Sequence, residues 1–380
     1  MDAATAVDWQ PHAARLAAQT THSVSRWRPI VAAVPRHLFV PNWWEWAEPG
    51  EFDSWTFALA DRDRAAWLQA AYADRSLVTQ VGPLHADHAE PGAKTRGRPT
   101  SSATLPSLLI NLYRHAMIGE GMDVLDVGTG SGYGTALLAE RLGDRHVTSV
   151  DVDSYLTKAA QQRLEQIGLQ PDVRVCDATG PLEGEFDRIV ATVSVRPVPA
   201  SWLAVLRPGG RLVTTIADTG LIVTADKTPD GGAAGRIEWD RAGFMATRHG
   251  PDYPAPPDLP DGWDGEERSS PYPVVDVVEA WELWSMLSIL CPGIRHHYRR
   301  DGDRRQAWMV HPDGSWAHAV SSGDGPATVR QGGPRRLWDL LDDLRARWLR
   351  DGSLPVYGAR VTITPDGATV LRRGRWTATL

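Results

Sequence analysis

Hydrophobic and polar positions change period along the chain, most sharply at residues 124–142. Val124, Leu125 and Val127 make a short apolar run of the kind a buried strand gives, and the glycine cluster GTGSG follows at 128–132. Ala136, Leu137, Ala139 and Leu142 then recur at helical spacing, so the stretch predicts a strand, a tight turn and a helix. Further runs read as strands: HVTSVD ending at Asp151, EFDRIVATVSV at 185–195 and RLVTTI at 211–216. WLAVL reads as a helix stopped by Pro208, Gly209 and Gly210. Strands alternating with helices predict an α/β chain with a doubly wound sheet.

Upstream, residues 11–34 carry helical spacing, and PRHLFVP at 35–41 is a short buried segment bracketed by prolines. The insertion at 43–67 concentrates Trp43, Trp44, Trp46, Trp55 and Trp67, which read as a small extra core in preference to a peptide-contacting wall. AYADRSLVTQVG at 71–82 is ordered, whereas 83–99, rich in Pro and Gly and carrying Lys94, Arg96 and Arg98, reads as a basic loop. Ser101, Ser102 and Thr104 then precede a helix whose apolar face includes Leu108, Leu109, Leu112 and Ile118.

The second half begins with 251–271, too rich in Pro, Gly and acid to pack, which reads as a linker. Beyond it, 274–290 and 335–352 have helical patterns, and Pro-Asp-Gly at 312–314 and 365–367 splits alternating runs into hairpins. At 380 residues the chain exceeds the roughly 250 to 300 that one core usually holds. Two domains are expected, 1–250 and a small α+β domain at 272–380.

Charge and cysteine content narrow the chemistry. A net charge of −7 with no strongly basic run disfavours nucleic acid as a partner. Cys176 and Cys291 are the only cysteines, too few for a disulfide framework or a cysteine-built zinc site, so no metal is expected. His85 and His88 lack ligand-type neighbours, and His37 reads as structural. Neither a membrane-spanning run nor a signal-peptide pattern is present, which predicts a soluble cytoplasmic protein without a membrane partner.

In the turn, Gly128, Gly130 and Gly132 allow close backbone approach, and the following helix points free N–H groups at the ligand. Tyr133 stands where a pyrophosphate-binding G-x-G-x-x-G would have its third glycine, which disfavours a dinucleotide. Asp151 lies at about the ~20-residue spacing where a strand-end acid bonds ribose hydroxyls. Asp177, after another short apolar run, is placed to present a carboxylate or backbone to a base. A ribose with a carboxylate nearby describes S-adenosylmethionine.

Several stretches together resemble the protein-L-isoaspartate O-methyltransferase family: PRHLFVP, AYADRSL, ATLPSLL, VLDVGTGSGYGTALLA, VTSVDVD, FDRIVATVSV and LRPGGRLV. The resemblance covers about 31–250 and implies a class I S-adenosylmethionine-dependent methyltransferase with a Rossmann-like sheet, yielding S-adenosylhomocysteine. It implies cofactor contacts from Asp126, Gly128, Thr129, Gly130, Ser131, Gly132, Asp151, Val152, Asp177 and Ala178. It also places Thr104, with Ser101 and Ser102 before it, at the reacting carboxylate. Here the family's usual serine is Thr104 and its glutamine-like position is Leu105, a departure that points away from ordinary isoaspartyl peptides. The insertions and the tail look like relatives found with lanthipeptide and graspetide biosynthesis. That implies a ribosomally made precursor, leader or cyclised core, as partner, and an aspartyl methyl ester that collapses to aspartimide or isoaspartate. Repair of isoaspartyl proteins is the alternative, and a non-catalytic cofactor- and peptide-binding module is a third. The tail is expected to serve peptide recognition.

Overall fold

The computed structural model describes residues 8–47, 54–58, 63–250, 252–253, 264–277 and 279–380. Helices α1 (Gln10–Thr20), α2 (Trp27–Ala33) and α3 (Arg36–Phe39) open the chain. They are followed by β1 (Trp43–Trp46), β2 (Ser54–Ala58), α4 (Arg64–Ala71), β3 (Leu77–Val81), β4 (Leu84–His85), β5 (Lys94–Arg96) and β6 (Pro99–Ala103). These strands make an antiparallel sheet in the order β4-β3-β1-β2-β5, with β6 against β3. The expected loop at 83–99 is thus largely ordered. Its backbone groups find ladder partners, Gln80 opposite His85 and Trp55 opposite Thr95, that local composition does not announce. Trp44 and Trp55 bury with Phe57, Val81 and Ala86 in a separate small core, while Trp46 stays 53% exposed.

Helix α5 (Pro106–His115) leads into β7 (Val124–Val127), α6 (Tyr133–Leu142), β8 (Val147–Asp151), α7 (Ser154–Gln166), β9 (Asp172–Val175) and β10 (Phe186–Val195). After α8 (Ala200–Val205) come β11 (Leu206–Ile216), β12 (Leu221–Lys227) and β13 (Ala233–Arg241). Pro208 and Gly209 do not end the helix as expected. They lie inside β11, where the register against β10 slips between the Phe186–Leu206 and Arg188–Arg211 pairs, a bulge that accommodates the missing proline donor.

The tail contributes β14 (Glu266–Ser270), α9 (Trp281–Leu290), β15 (Arg295–Asp301), β16 (Arg304–Val310), β17 (Trp316–Ser322), β18 (Ala327–Gly332) and α10 (Leu337–Arg350). It ends with β19 (Arg360–Ile363), β20 (Thr369–Arg373) and β21 (Trp376–Thr379). The central sheet has the order β21-β20-β19-β13-β12-β11-β10-β7-β8-β9, parallel from β11 through β9. From β7 the chain winds outward through β8 and β9, then crosses back to β10 on the other side. That reversal opens a crevice at the carboxyl ends of β7 and β10.

Two domain expectations are corrected. Most of the 251–271 linker lies outside the described residues, but its end is strand β14, paired residue by residue with β18. The tail is divided as well: β14–β18 form their own five-stranded sheet, whereas β19–β21 extend the central one through β13. A bare β13 edge would leave a row of backbone groups unpaired, and β19 fills it. One hydrophobic cluster runs through both halves, joining Ile189, Trp202, Val223 and Ile237 to Leu287, Met309, Leu341 and Trp376. Among the described residues no helix is long and apolar enough to cross a membrane.

A chain ending at residue 250 therefore lacks the partner of β13 and half of a shared core. We expect it to bind a hydrophobic dye and to melt without a cooperative transition in calorimetry; a sharp two-state melt close to that of the full chain would contradict the shared core.

Candidate active site

The site grows from the turn after β7. Asp126 points beneath it, 2% exposed, and one of its oxygens accepts hydrogen bonds from the Thr135 hydroxyl (2.7 Å) and the Ser149 hydroxyl (2.9 Å). Thr129 joins the same cluster through Ser149 at 2.7 Å. Burial pushes the Asp126 carboxyl up to about 6; the two hydroxyl donors oppose the rise and nearby Asp151 adds to it.

Above the turn lies Asp151 at the end of β8. Its oxygens accept from the Gly130 amide (2.9 Å) and the Asp153 amide (3.1 Å). Burial raises its pKa, against those amides and the Arg248 guanidinium, which favour the charged form. A carboxylate has about four lone-pair sites. With one amide on each oxygen, Asp151 keeps one acceptor position per oxygen, as two neighbouring hydroxyls require. Gly130, at φ +51°, brings its backbone against Ser101 and Ser102: a Cβ there would lie 3.5 Å from the Ser102 carbonyl oxygen and 3.7 Å from Ser101 Oγ.

A cleft of about 440 Å³ opens at this point. Gly128, Gly130, Asp151, Val152, Asp177 and Ala178 line one side, and Ser101, Ser102, Thr104 and Leu105 the other. Thr79 donates to Ser101 Oγ at 3.0 Å, which leaves the Ser101 hydroxyl hydrogen free for a ligand. Asp126, Thr129 and Ser131 do not face this cleft. They line a narrow side cavity of about 20 Å³ that shares Ser102, Thr104, Gly128 and Thr192 with it. Gly132 faces neither space, because its helix packs on α7 and a Cβ would sit 2.9 Å from that of Ala160. Asp126 and Gly132, expected at the cofactor, instead carry the turn from behind. Asp177 keeps its place at the rim, where Thr179 and His249 hold its carboxylate; burial would raise its pKa, but those bonds outweigh it and the net shift is downward.

Two elements outside the glycine motif complete the cleft. The segment 243–248 straps across it, with Tyr253 beside it: Ser194 donates its amide to the Met245 carbonyl at 2.8 Å, and the Thr247 amide donates back to Ser194 at 2.9 Å. Arg248 from this strap is nearly buried and bonds Asp153 at 3.2 Å, while Arg98 lies over the Tyr253 ring at 4.5 Å. At the mouth, Trp46 stacks on Trp55 with ring centroids 4.0 Å apart. The small-core reading thus holds for Trp44, whereas Trp46 stands exposed at the edge of the cleft. Arg248 and Tyr253 carry no signal in the sequence pattern; they belong to a stretch that reads as the approach to a linker.

The N-terminal sheet is pinned in position. Asp87 accepts from Arg163 and, at 3.0 Å, from the Tyr155 hydroxyl, both on α7, and Gln80 donates to Asp153 at 3.2 Å. Buried Arg36 donates to the carbonyls of Ala71, Ala73, Arg75 and Thr104, fixing the start of α5. His37 is structural, with its ring on the Tyr72 hydroxyl at 2.7 Å and burial lowering its pKa to about 4. No group of three or more potential metal ligands occurs among the described residues.

The Asp126 shift makes a stability prediction. Because the folded carboxyl holds its proton up to about pH 6 against an ordinary 3.8, the fold loses stability as pH rises through that window. Asp126→Asn removes this term. Relative to the unsubstituted protein, the variant should gain up to about 3 kcal/mol between pH 4 and pH 7 in urea denaturation. A stability difference that does not change with pH would contradict the assignment.

Comparison with known proteins agrees with this architecture. A family model described as protein-L-isoaspartate(D-aspartate) O-methyltransferase (PCMT) matches residues 53–238. The protein-L-isoaspartate O-methyltransferase of Dinoroseobacter shibae is 35% identical over 165 residues, covering 42% of this chain and 73% of that protein. The one from Brucella anthropi is 35% identical over 114 residues, 29% of this chain and 52% of its own, so the chain spans about half the length of that relative. A solved protein-L-isoaspartate O-methyltransferase structure aligns over 98% of this chain and 99% of its own, with 16% identity and a TM-score of 0.48. The fold is that of a class I S-adenosylmethionine-dependent methyltransferase, and the chain belongs to the protein-L-isoaspartate O-methyltransferase family.

Proposed function

We propose that the chain is a carboxyl O-methyltransferase that uses S-adenosylmethionine to esterify an aspartate side chain in a ribosomally made, cyclised precursor peptide. One observation carries the reaction type. The wall of the cleft facing the glycine turn consists of Trp46, Trp55, Pro99, hydroxyl residues and aliphatic residues, with no titratable side chain among the described residues there. A protonated amine with a pKa near 10 would need a base to become a nucleophile, whereas a carboxylate with a pKa near 4 arrives ionised. Such a wall suits the carboxylate.

The residues present fit the cofactor. Asp151 has two acceptor positions left for ribose hydroxyls, Gly128 and Gly130 give close backbone approach, and Val152, Asp177 and Ala178 border the rest of the space. When bound, the cofactor supplies an electrophilic methyl group on a sulfonium. The chain orients and excludes: Ser101, Ser102 and Thr104 offer hydroxyl hydrogens to the carboxylate, while Leu105, the Trp46–Trp55 pair and the 243–248 strap keep water from the reacting atoms. No proton has to move. The identity of the substrate rests on Leu105 and the aromatic mouth, which favour a shaped peptide over any exposed isoaspartyl linkage. Repair of isoaspartyl residues is the second reading, favoured by the names of the Dinoroseobacter and Brucella relatives.

Asp151→Ala should weaken S-adenosylmethionine binding in titration calorimetry by roughly 1.5 to 3 kcal/mol, the range for a hydrogen bond to a charged group; unchanged affinity would remove Asp151 from the site. Mass spectrometry of a cyclised aspartyl precursor should show gain of one methylene and then loss of methanol, a net loss of one water as the next backbone nitrogen closes on the ester carbonyl. Efficient methylation of short unrelated isoaspartyl peptides, with none on the cyclised precursor, would restore the repair reading.

A further inference from the structure

A second cavity, of about 470 Å³, lies far from the glycine turn, between the last turn of α10, the following loop and the β20–β21 hairpin. That is within the roughly 300–1,000 Å³ typical of ligand pockets. Arg347, Arg350, Arg373 and Arg375 line it, with Asp351 as the one carboxylate among the lining residues. Arg373 spends its Nε on the Pro355 carbonyl at 3.1 Å, and among the described residues none of the four forms an ion pair. Trp348 and Trp376 supply apolar wall. The Trp348 indole N–H is buried without a hydrogen-bond partner among the described residues.

Part of this cluster has an ordinary explanation, since Arg347 and Arg350 sit where a helix C-terminus favours cations. Arg373 and Arg375 come from a different element across the cavity, and the helix dipole does not account for them. Four cations against one anion, in a chain of net charge −7, is a local inversion of sign. Guanidinium groups bind carboxylates by paired, planar hydrogen bonds, and aromatic walls accept the methylene stems of acidic side chains.

We propose that this cavity anchors an acidic segment, rich in aspartate or glutamate, of the same polypeptide whose aspartate is methylated; the link to methylation rests on the function proposed above. Carboxylates are favoured over a nucleic-acid backbone because the four arginines cluster around one cavity with tryptophan walls and form no stripe along the surface of an acidic protein. Strand β21 lies seven strand steps from β7 in the central sheet, on the order of 30 Å at about 4.8 Å per step. An extended chain covers at most about 3.6 Å per residue, so at least about nine residues separate the anchored segment from the methylated one. Anchoring raises the effective concentration of the reacting aspartate at the cleft and leaves the chemistry there unchanged.

The test uses the full chain and a fluorescein-labelled oligoglutamate peptide, read by anisotropy. Binding should be saturable, weaken with salt, and fall at least about tenfold in an Arg350→Ala/Arg375→Ala variant whose cofactor binding and melting temperature are retained. Should that pair fail to fold, Arg375→Glu alone, in the exposed hairpin turn, should give the same loss. Methylation of an acidic precursor should show a raised KM with kcat kept. No saturable binding, equal binding by the variants, or tighter binding of a labelled single-stranded RNA of matched charge would overturn the proposal. The anisotropy result does not depend on turnover, so failure of the anchor and failure of the methyltransferase reading are told apart.

Discussion

Asp151 accepts the Gly130 amide at 2.9 Å, and this bond joins the end of one parallel strand to the turn that leaves its neighbour. Removing a carboxylate from water costs several kcal/mol unless donors surround it. The chain meets that cost with backbone amides at Asp151 and hydroxyls at Asp126, so the turn is held from above and below by acids that need it. With Gly130 fixed at φ +51°, Ser101 and Ser102 can approach the same point from another sheet. The cleft exists because the two walls converge on one glycine.

That convergence depends on long-range ties. Gln80 reaches Asp153, Asp87 reaches Arg163 and Tyr155, and Arg248 returns from the strap to Asp153. Asp153 thus serves the N-terminal sheet, the strap and the N-cap of α7 at once. Burial would raise its pKa, yet the bonds from Gln80, Arg248 and the α7 amides lower it overall. Because these partners come from distant parts of the sequence, a change in any of them would misalign Ser101–Thr104 against the glycine turn without touching a ligand.

What was legible in the sequence follows the same division between local and distant. The strand at Val124–Val127, the glycine turn and the strand ending at Asp151 are written in neighbouring residues, and periodicity recovers them; the hydroxyl run before α5 is instead part of strand β6, whose partner β3 lies elsewhere in the sequence. The Pro-Asp-Gly hairpins are equally local. Strand β14 inside the supposed linker and the attachment of β19 to β13 are pairings between distant segments, and neither has a local signature. Arg248 lies between a strand and a linker in sequence, and only the fold carries it back over Asp153. Motif position does not reveal whether a side chain points above or below the turn, so the sequence alone does not show that Asp126 lies beneath it.

The central claim is that this cleft transfers a methyl group to a carboxylate. Incubation with methyl-labelled S-adenosylmethionine and a cyclised, aspartate-bearing peptide, followed by mild alkali, tests it most directly. The account predicts that label enters the peptide and leaves as methanol, because an ester is base-labile. Label that stays on the peptide through alkali would mark transfer to nitrogen or carbon and contradict it.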